Sequence, residues 1–118
     1  MKDEIQKLLF DISEAADSIF EYLGEKKDFN IYAKNKMMRR AVEREFEIIG
    51  EAMNAILKIE PEFPIKNARR IVSLRNQVIH GYDSVDKVII WGIINRDLPN
   101  LKAEVKKLLA VNHEDQKI

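Results

Sequence analysis

Apolar residues recur along this chain at intervals of three and four, the signature of helices that each bury one face. The first such stripe, Ile5, Leu8, Leu9, Ile12, Ala15, Ala16, Ile19 and Leu23, predicts a helix over Asp3–Leu23. Gly24 supplies a stop, and residues 25–28 form a charged turn. A second stripe, Met38, Ala41, Val42, Phe46, Ile49, Met53 and Ile56, predicts a helix that begins near residues 31–35 and runs to about Ile59. Arg and Glu residues between 39 and 47 flank that stripe at spacings that allow ion pairs along the helix surface. Pro61 and Pro64 then break the chain, because proline cannot continue a helix interior. A third helix is expected over residues 65–80, ending near Gly81, and a fourth after Asp83 and Ser84, both good N-cap residues. The fourth carries Val85, Val88, Ile89 and Ile93, then Leu101, Val105, Leu108 and Leu109, and Pro99 must kink or divide it. No alternating strand pattern occurs. The expected fold is all-α: an antiparallel bundle of four to five helices forming one domain over residues 1–111, followed by a polar, frayed tail over 112–118.

Composition narrows the chemistry. At 118 residues, 46% hydrophobic and 34% charged with four Gly and three Pro, the chain has the profile of a helix-rich domain with heavily charged outer faces. It has no cysteine, which removes disulfides, thiolate metal sites and thiol nucleophiles. Twenty basic residues balance twenty acidic ones. A dedicated duplex-DNA binder is usually clearly basic, so DNA is not the expected partner. The sequence starts on a charged amphipathic segment and contains no apolar run of about 18 residues. Neither a membrane partner nor a leader is expected, and the cytoplasm is the default location.

One residue breaks the pattern of the third helix. Ile65, Ala68, Ile71, Val72, Val78 and Ile79 cluster on one side of a helical projection, and Arg75 falls almost in the middle of them. An unpaired charge is very costly at a core position. Tyr82 projects nearly in line with Arg75, whereas His80 lies about 140° away and shares a side with Asn76. His80 also precedes Gly81, where the backbone can turn and re-aim both His80 and Tyr82. Convergence of these groups therefore needs local bending or a second subunit. A structural reading stands beside the functional one: Arg75 pairs with Glu43, Glu47 or Glu51, His80 caps a helix, and Tyr82 packs on the next helix.

Other chemistries have less support. Two histidines and no HExxH spacing leave no metal motif, and none of Ser13, Ser18, Ser73 or Ser84 sits in a GxSxG or SxxK context. Glycine-rich phosphate loops are absent. Pairs such as Glu43/Glu47 or Glu45/Glu51 could hold a divalent ion but fit better as solvated or ion-paired surface groups. His113 reads as surface.

The stretch Arg75-Asn76-Gln77-Val78-Ile79-His80-Gly81-Tyr82 resembles the Arg-x4-His-x-Tyr motif of HepT-like toxins of the HEPN superfamily. Residues 41–44 and 48–52 resemble that family's second-helix signature, Pro61-Glu62-Phe63-Pro64 its proline-containing connection, and Trp91 with residues 97–101 its closing helix. The resemblance implies a helical bundle that dimerises and brings two motif copies into one cleft. It implies metal-independent endoribonuclease activity without a cofactor, as the toxin of a type VII-like toxin–antitoxin system. It also implies a minimal nucleotidyltransferase antitoxin that silences the toxin by AMPylation of Tyr82. Carried over, Arg75 and His80 become the catalytic pair, and Asn76 and Tyr82 support the motif and bind phosphate or RNA. The alternative implied by the same residues is a noncatalytic subunit that presents a nucleotide to the nucleotidyltransferase.

The chemistry suits the residues. RNA carries its own nucleophile in the 2′-hydroxyl, so neither metal nor covalent side chain is required. His80 can move protons near neutral pH, and Arg75 can hold the scissile phosphate through two parallel hydrogen bonds.

Overall fold

The structure, a computed structural model, describes residues 2–73 and 87–116, with side chains as far as residue 111. Among the described residues every regular element is a helix, as the periodicity predicts. Helix α1 spans Asp3–Leu23 and buries Ile5, Leu9, Ile12, Ala15, Ala16, Ile19 and Leu23 on one face. It stops at Gly24, whose φ of 73° and ψ of −179° belong to a region essentially closed to residues with a side chain. The Gly24 N–H still donates to the Phe20 carbonyl at 3.1 Å, closing the last turn.

The second predicted helix is in fact two. Helix α2 covers Phe29–Lys34 and α3 covers Lys36–Ile59. Each has its own side-chain cap. Asp28 Oδ1 accepts from Asn30 N at 2.8 Å and Ile31 N at 3.3 Å, and Asn35 Oδ1 accepts from Met38 N at 3.0 Å. Asn35 is extended, so it ends one helix and starts the next, with its side chain replacing a helical hydrogen bond. The α2 end is closed from outside: the Ala33 carbonyl accepts from Arg39 Nη1 at 2.5 Å and from Lys87 Nζ at 3.2 Å.

Residues 60–67 form the proline-containing connection. Phe63 and Ile65 plug the core from it, so Ile65 is buried from a turn rather than from the helix predicted there. Asn67 adopts φ 63°, a left-handed conformation that Asn tolerates better than most residues, and helix resumes only after it. Residues 68–73 are helical and are labelled α4. The remainder of the third predicted helix and the start of the fourth lie outside the described residues.

Helix α5 spans Lys87–Arg96 and α6 spans Leu98–Gln116, so the last predicted helix is divided. The division wastes no backbone group. Asp97 N–H donates to the Ile93 carbonyl at 2.9 Å, and the Asp97 carbonyl accepts from Leu101 N at 3.0 Å. Pro99 is the second residue of α6, where a missing N–H is not needed. Helix α6 continues to Gln116, over most of the segment expected to be a frayed tail.

Helix α1 packs chiefly along α3 and next along α6, while α2 lies on α3 and α5 on α6. Tyr22, near the end of α1, donates to Glu45 in the first half of α3 at 2.8 Å, as an antiparallel pair requires. Lys102 near the start of α6 meets Asp17 at 2.5 Å and lies over the Phe20 ring at 5.2 Å. The core between these helices includes Leu9, Ile12 and Ile19 of α1, Val42, Ile49, Met53 and Ile56 of α3, Ile90 and Ile94 of α5, and Val105 of α6. Each such side chain contributes about 1.5–3 kcal/mol on burial. Among the described residues no helix is long and apolar enough to cross a membrane.

Candidate functional site

Arg75, Asn76, His80 and Tyr82 all lie outside the described residues, so neither their convergence nor their pairing is part of the geometry that follows. The two flanks of the motif are described, and chain length bounds how far the motif can lie from each. A fully extended chain covers at most about 3.3–3.6 Å per residue. The Cα atom of Arg75 therefore lies within about 7 Å of that of Ser73, the last described residue of α4. By the same bound, the Cα atom of Tyr82 lies within about 18 Å of that of Lys87 at the start of α5.

The entry flank is held against α6. Lys66 N donates to Glu104 Oε2 at 3.0 Å, and Arg70 Nη2 stands 3.6 Å from Asp97 Oδ2. Asp97 is also approached by Arg96 at 3.7 Å, so two guanidinium groups flank one partly buried carboxylate. The exit flank is held against α2 and α3. Lys87 reaches the Ala33 carbonyl, and one turn later Trp91 meets the Phe29 and Tyr32 rings at centroid distances of 5.7 and 5.3 Å. Tyr32 is almost completely buried, and that burial pushes its hydroxyl up to about 12, with the Glu43 carboxylate adding to the effect and the Arg39 guanidinium opposing it.

Between the flanks lies a cleft of about 770 Å³. Phe46 and Ile49 of α3, Ile71 of α4, and Ile93 and Leu101 of α5 and α6 give it apolar walls. Lys66, Asn67, Arg70, Asp97, Asn100 and Glu104 give it a polar rim that balances two cations against two carboxylates. Ser73 also lines it, so the cleft runs to the last described residue before the motif. Size, apolar walls and a few polar groups are the usual attributes of a small-ligand site.

The carboxylates considered as ion-binding pairs have other engagements. Glu47 pairs with Arg44 at 2.9 Å, and Glu45 accepts from Tyr22. Burial raises the Glu43 carboxyl above the usual carboxylate range, against the pull of Arg40 and Arg39, and the neighbouring Glu47 adds to the rise. Among the described residues no three His, Asp or Glu side chains gather closely enough to hold a metal ion.

Sequence reasoning did not single out Arg70, Lys66 or Glu104. Asp97 and Asn100 entered only as parts of a signature for the closing helix. These five residues come from segments some thirty positions apart, and only the packing of α4 against the α5–α6 corner brings them to one rim.

Similar proteins place this scaffold. A protein of Methanocaldococcus jannaschii named as a candidate RNase is 38% identical over 106 residues, covering 89% of this chain and 96% of its own length. A Thermococcus cleftensis protein named as a probable ribonuclease HepT is 35% identical over 112 residues, covering 92% of this chain and 98% of its own. A Caldanaerobacter subterraneus protein, also named as a candidate RNase, is 35% identical over 85 residues, covering 69% and 73%. No solved structure shows a significant match. The family profile described as ribonuclease HepT-like matches residues 12–108, which runs from the middle of α1 through the motif to α6. The chain belongs to the ribonuclease HepT-like family, a HEPN family.

Proposed function

We propose that this protein is a metal-independent endoribonuclease, the toxin of a type VII-like pair whose antitoxin is a minimal nucleotidyltransferase. The observation that carries the reading is the intact Arg75-x4-His80-x-Tyr82 motif in a chain matched by the ribonuclease family over residues 12–108. Two protomers bring their motifs together in one cleft, in the cytoplasm. His80 takes the proton of a 2′-hydroxyl, and the oxygen attacks the adjacent phosphorus. The bond from phosphorus to the 5′-oxygen breaks, and that oxygen leaves with a proton from water or from the second His80. The products are a 2′,3′-cyclic phosphate and a 5′-hydroxyl. Arg75 donates to the non-bridging oxygens, where charge builds in the transition state, and Asn76 and Tyr82 hold the RNA beside it. Transfer of AMP from ATP to the Tyr82 hydroxyl releases pyrophosphate and leaves bulk and negative charge where the RNA phosphate must sit.

The test uses a synthetic RNA and the unmodified protein with a chelator present. Cleavage with cyclic phosphate ends is expected, lost in Arg75→Ala and in His80→Ala with helicity unchanged. Retained cleavage in either variant removes that residue from the chemistry. Binding of RNA without cleavage by the parent protein supports instead a noncatalytic nucleotide-binding subunit. Peptide mapping after treatment with the cognate nucleotidyltransferase and ATP is expected to place AMP on Tyr82; AMP elsewhere refutes the control mechanism.

A further inference from the structure

We propose that the cleft between α4 and the α5–α6 corner is a base-recognition subsite that takes a guanine adjacent to the cleaved bond. The inference rests on the ribonuclease reading for its RNA and on the cleft for its selectivity. Three observations carry it. The cleft reaches Ser73, and chain length puts the Cα atom of Arg75 within about 7 Å of that residue's Cα atom, so a nucleotide held here neighbours the motif. Its walls, Phe46, Ile49, Ile71 and Ile93 among them, suit the faces of a flat heterocycle, whereas a rim with as many carboxylates as cations does not favour a phosphate. On that rim Arg70 and Asp97 stand 3.6 Å apart, presenting donors beside a carboxylate.

That juxtaposition selects among the bases. Guanine alone carries a carbonyl next to a ring N–H next to an amino group along one edge. A guanidinium matches the O6 and N7 acceptors, and a carboxylate takes the N1 and N2 hydrogens together. Uracil sets a single N–H between two carbonyls and meets the carboxylate with one donor only. Adenine and cytosine offer an amino group but no adjacent N–H. In the unliganded protein Asp97 is held by Arg70 and Arg96 at 3.6 and 3.7 Å, longer than hydrogen bonds, so the base replaces loose ion pairs with directed bonds.

The experiment measures binding of fluorescently labelled, fully 2′-O-methylated hexanucleotides, which cannot be cleaved. The probes are all-uridine, uridine with one guanosine, and uridine with one inosine, which lacks the amino group. The full chain should bind the guanosine probe about tenfold more tightly than the all-uridine probe, with inosine between them, as two bonds to a charged acceptor imply. Asp97→Asn should erase the preference while leaving binding of the all-uridine probe in place. Ile93→Trp, which fills the cleft, should weaken guanosine binding selectively. Cleavage of unmodified RNA should map beside guanosines. Equal binding of the three probes by the parent, or a preference that survives both variants, overturns the subsite. Ile93→Trp that alters oligomeric state but not probe binding reassigns the cleft to a subunit interface and also overturns it. Cleavage without guanosine preference refutes the subsite and leaves the ribonuclease reading intact. Guanosine preference without any cleavage does the reverse.

Discussion

Helix α5 is the least secured of the core helices, and Trp91 is the residue to remove in order to measure how firmly it is held. Within its ten residues only Ile90 and Ile94 are fully buried, and the helix contacts the α2 side largely through the Trp91 ring. Truncating a fully buried Trp to Ala costs about 3–5 kcal/mol. Trp91 is only partly buried, which lowers the area lost, but it makes two ring contacts, each contributing about 0.5–1.5 kcal/mol beyond area. The expected loss for Trp91→Ala is about 2–3 kcal/mol. With a urea dependence of about 1–3 kcal/mol per molar, the midpoint should fall by about 1–2 M in a far-ultraviolet circular dichroism titration. Trp91→Phe, which keeps one ring against Tyr32, should recover at least half of the loss. Because α5 begins five residues after Tyr82, RNA cleavage should weaken in the Ala variant under conditions where it is still folded. A loss under about 1 kcal/mol, with Phe and Ala indistinguishable, would show that the aromatic cluster does not anchor α5.

Further outcomes follow from other parts of the bundle. Asn35→Ala removes the cap that separates α2 from α3 and should cost about 1 kcal/mol by denaturation, with Asn35→Asp retaining most of it. Gly24→Ala meets no neighbouring atom within 4 Å, so its whole cost, about 1–3 kcal/mol, comes from backbone strain at φ 73°; no measurable loss would refute that account. The Tyr32 hydroxyl is raised from 10.0 to about 12, so the stability it confers is fully present below pH 10 and lost as pH rises toward 12. Phenolate absorbance should show one of the three tyrosines ionising only with alkaline unfolding. The Glu43 carboxyl is also raised, which favours its neutral form; Glu43→Gln should equal or exceed the parent in stability at pH 7, with the difference shrinking in acid.

What could be read from the chain depended on whether backbone or tertiary forces set each feature. The bounds of α1 were legible at both ends, because an unbroken stripe ends at a glycine that has no competitor nearby. The break at Asn35 was not, since Met38, Ala41 and Val42 continue the same period across it and only the cap geometry reveals the corner. The start of the third helix was placed three residues early because Ile65 fits the stripe by spacing, yet is buried from a turn set by Pro64 and the left-handed Asn67. Pro99 did announce a division, though the residue that carries it is Asp97. The motif was recognisable as residue types in order, while the Arg70–Asp97 rim, built by residues 27 positions apart, could not be read before α4 was placed against the α5–α6 corner.

The two ends of the motif segment are tethered by different chemistry, and acid separates them. On the entry side Arg70 faces the Asp97 carboxylate, a partner that protons can neutralise. On the exit side Lys87 and Arg39 converge on the Ala33 carbonyl, an oxygen whose attraction comes from the end of a helix and has no proton to gain in the ordinary range. Lowering the pH therefore slackens one tether and leaves the other taut. Amide exchange in mild acid should quicken at residues 68–73 well before it quickens at residues 87–91.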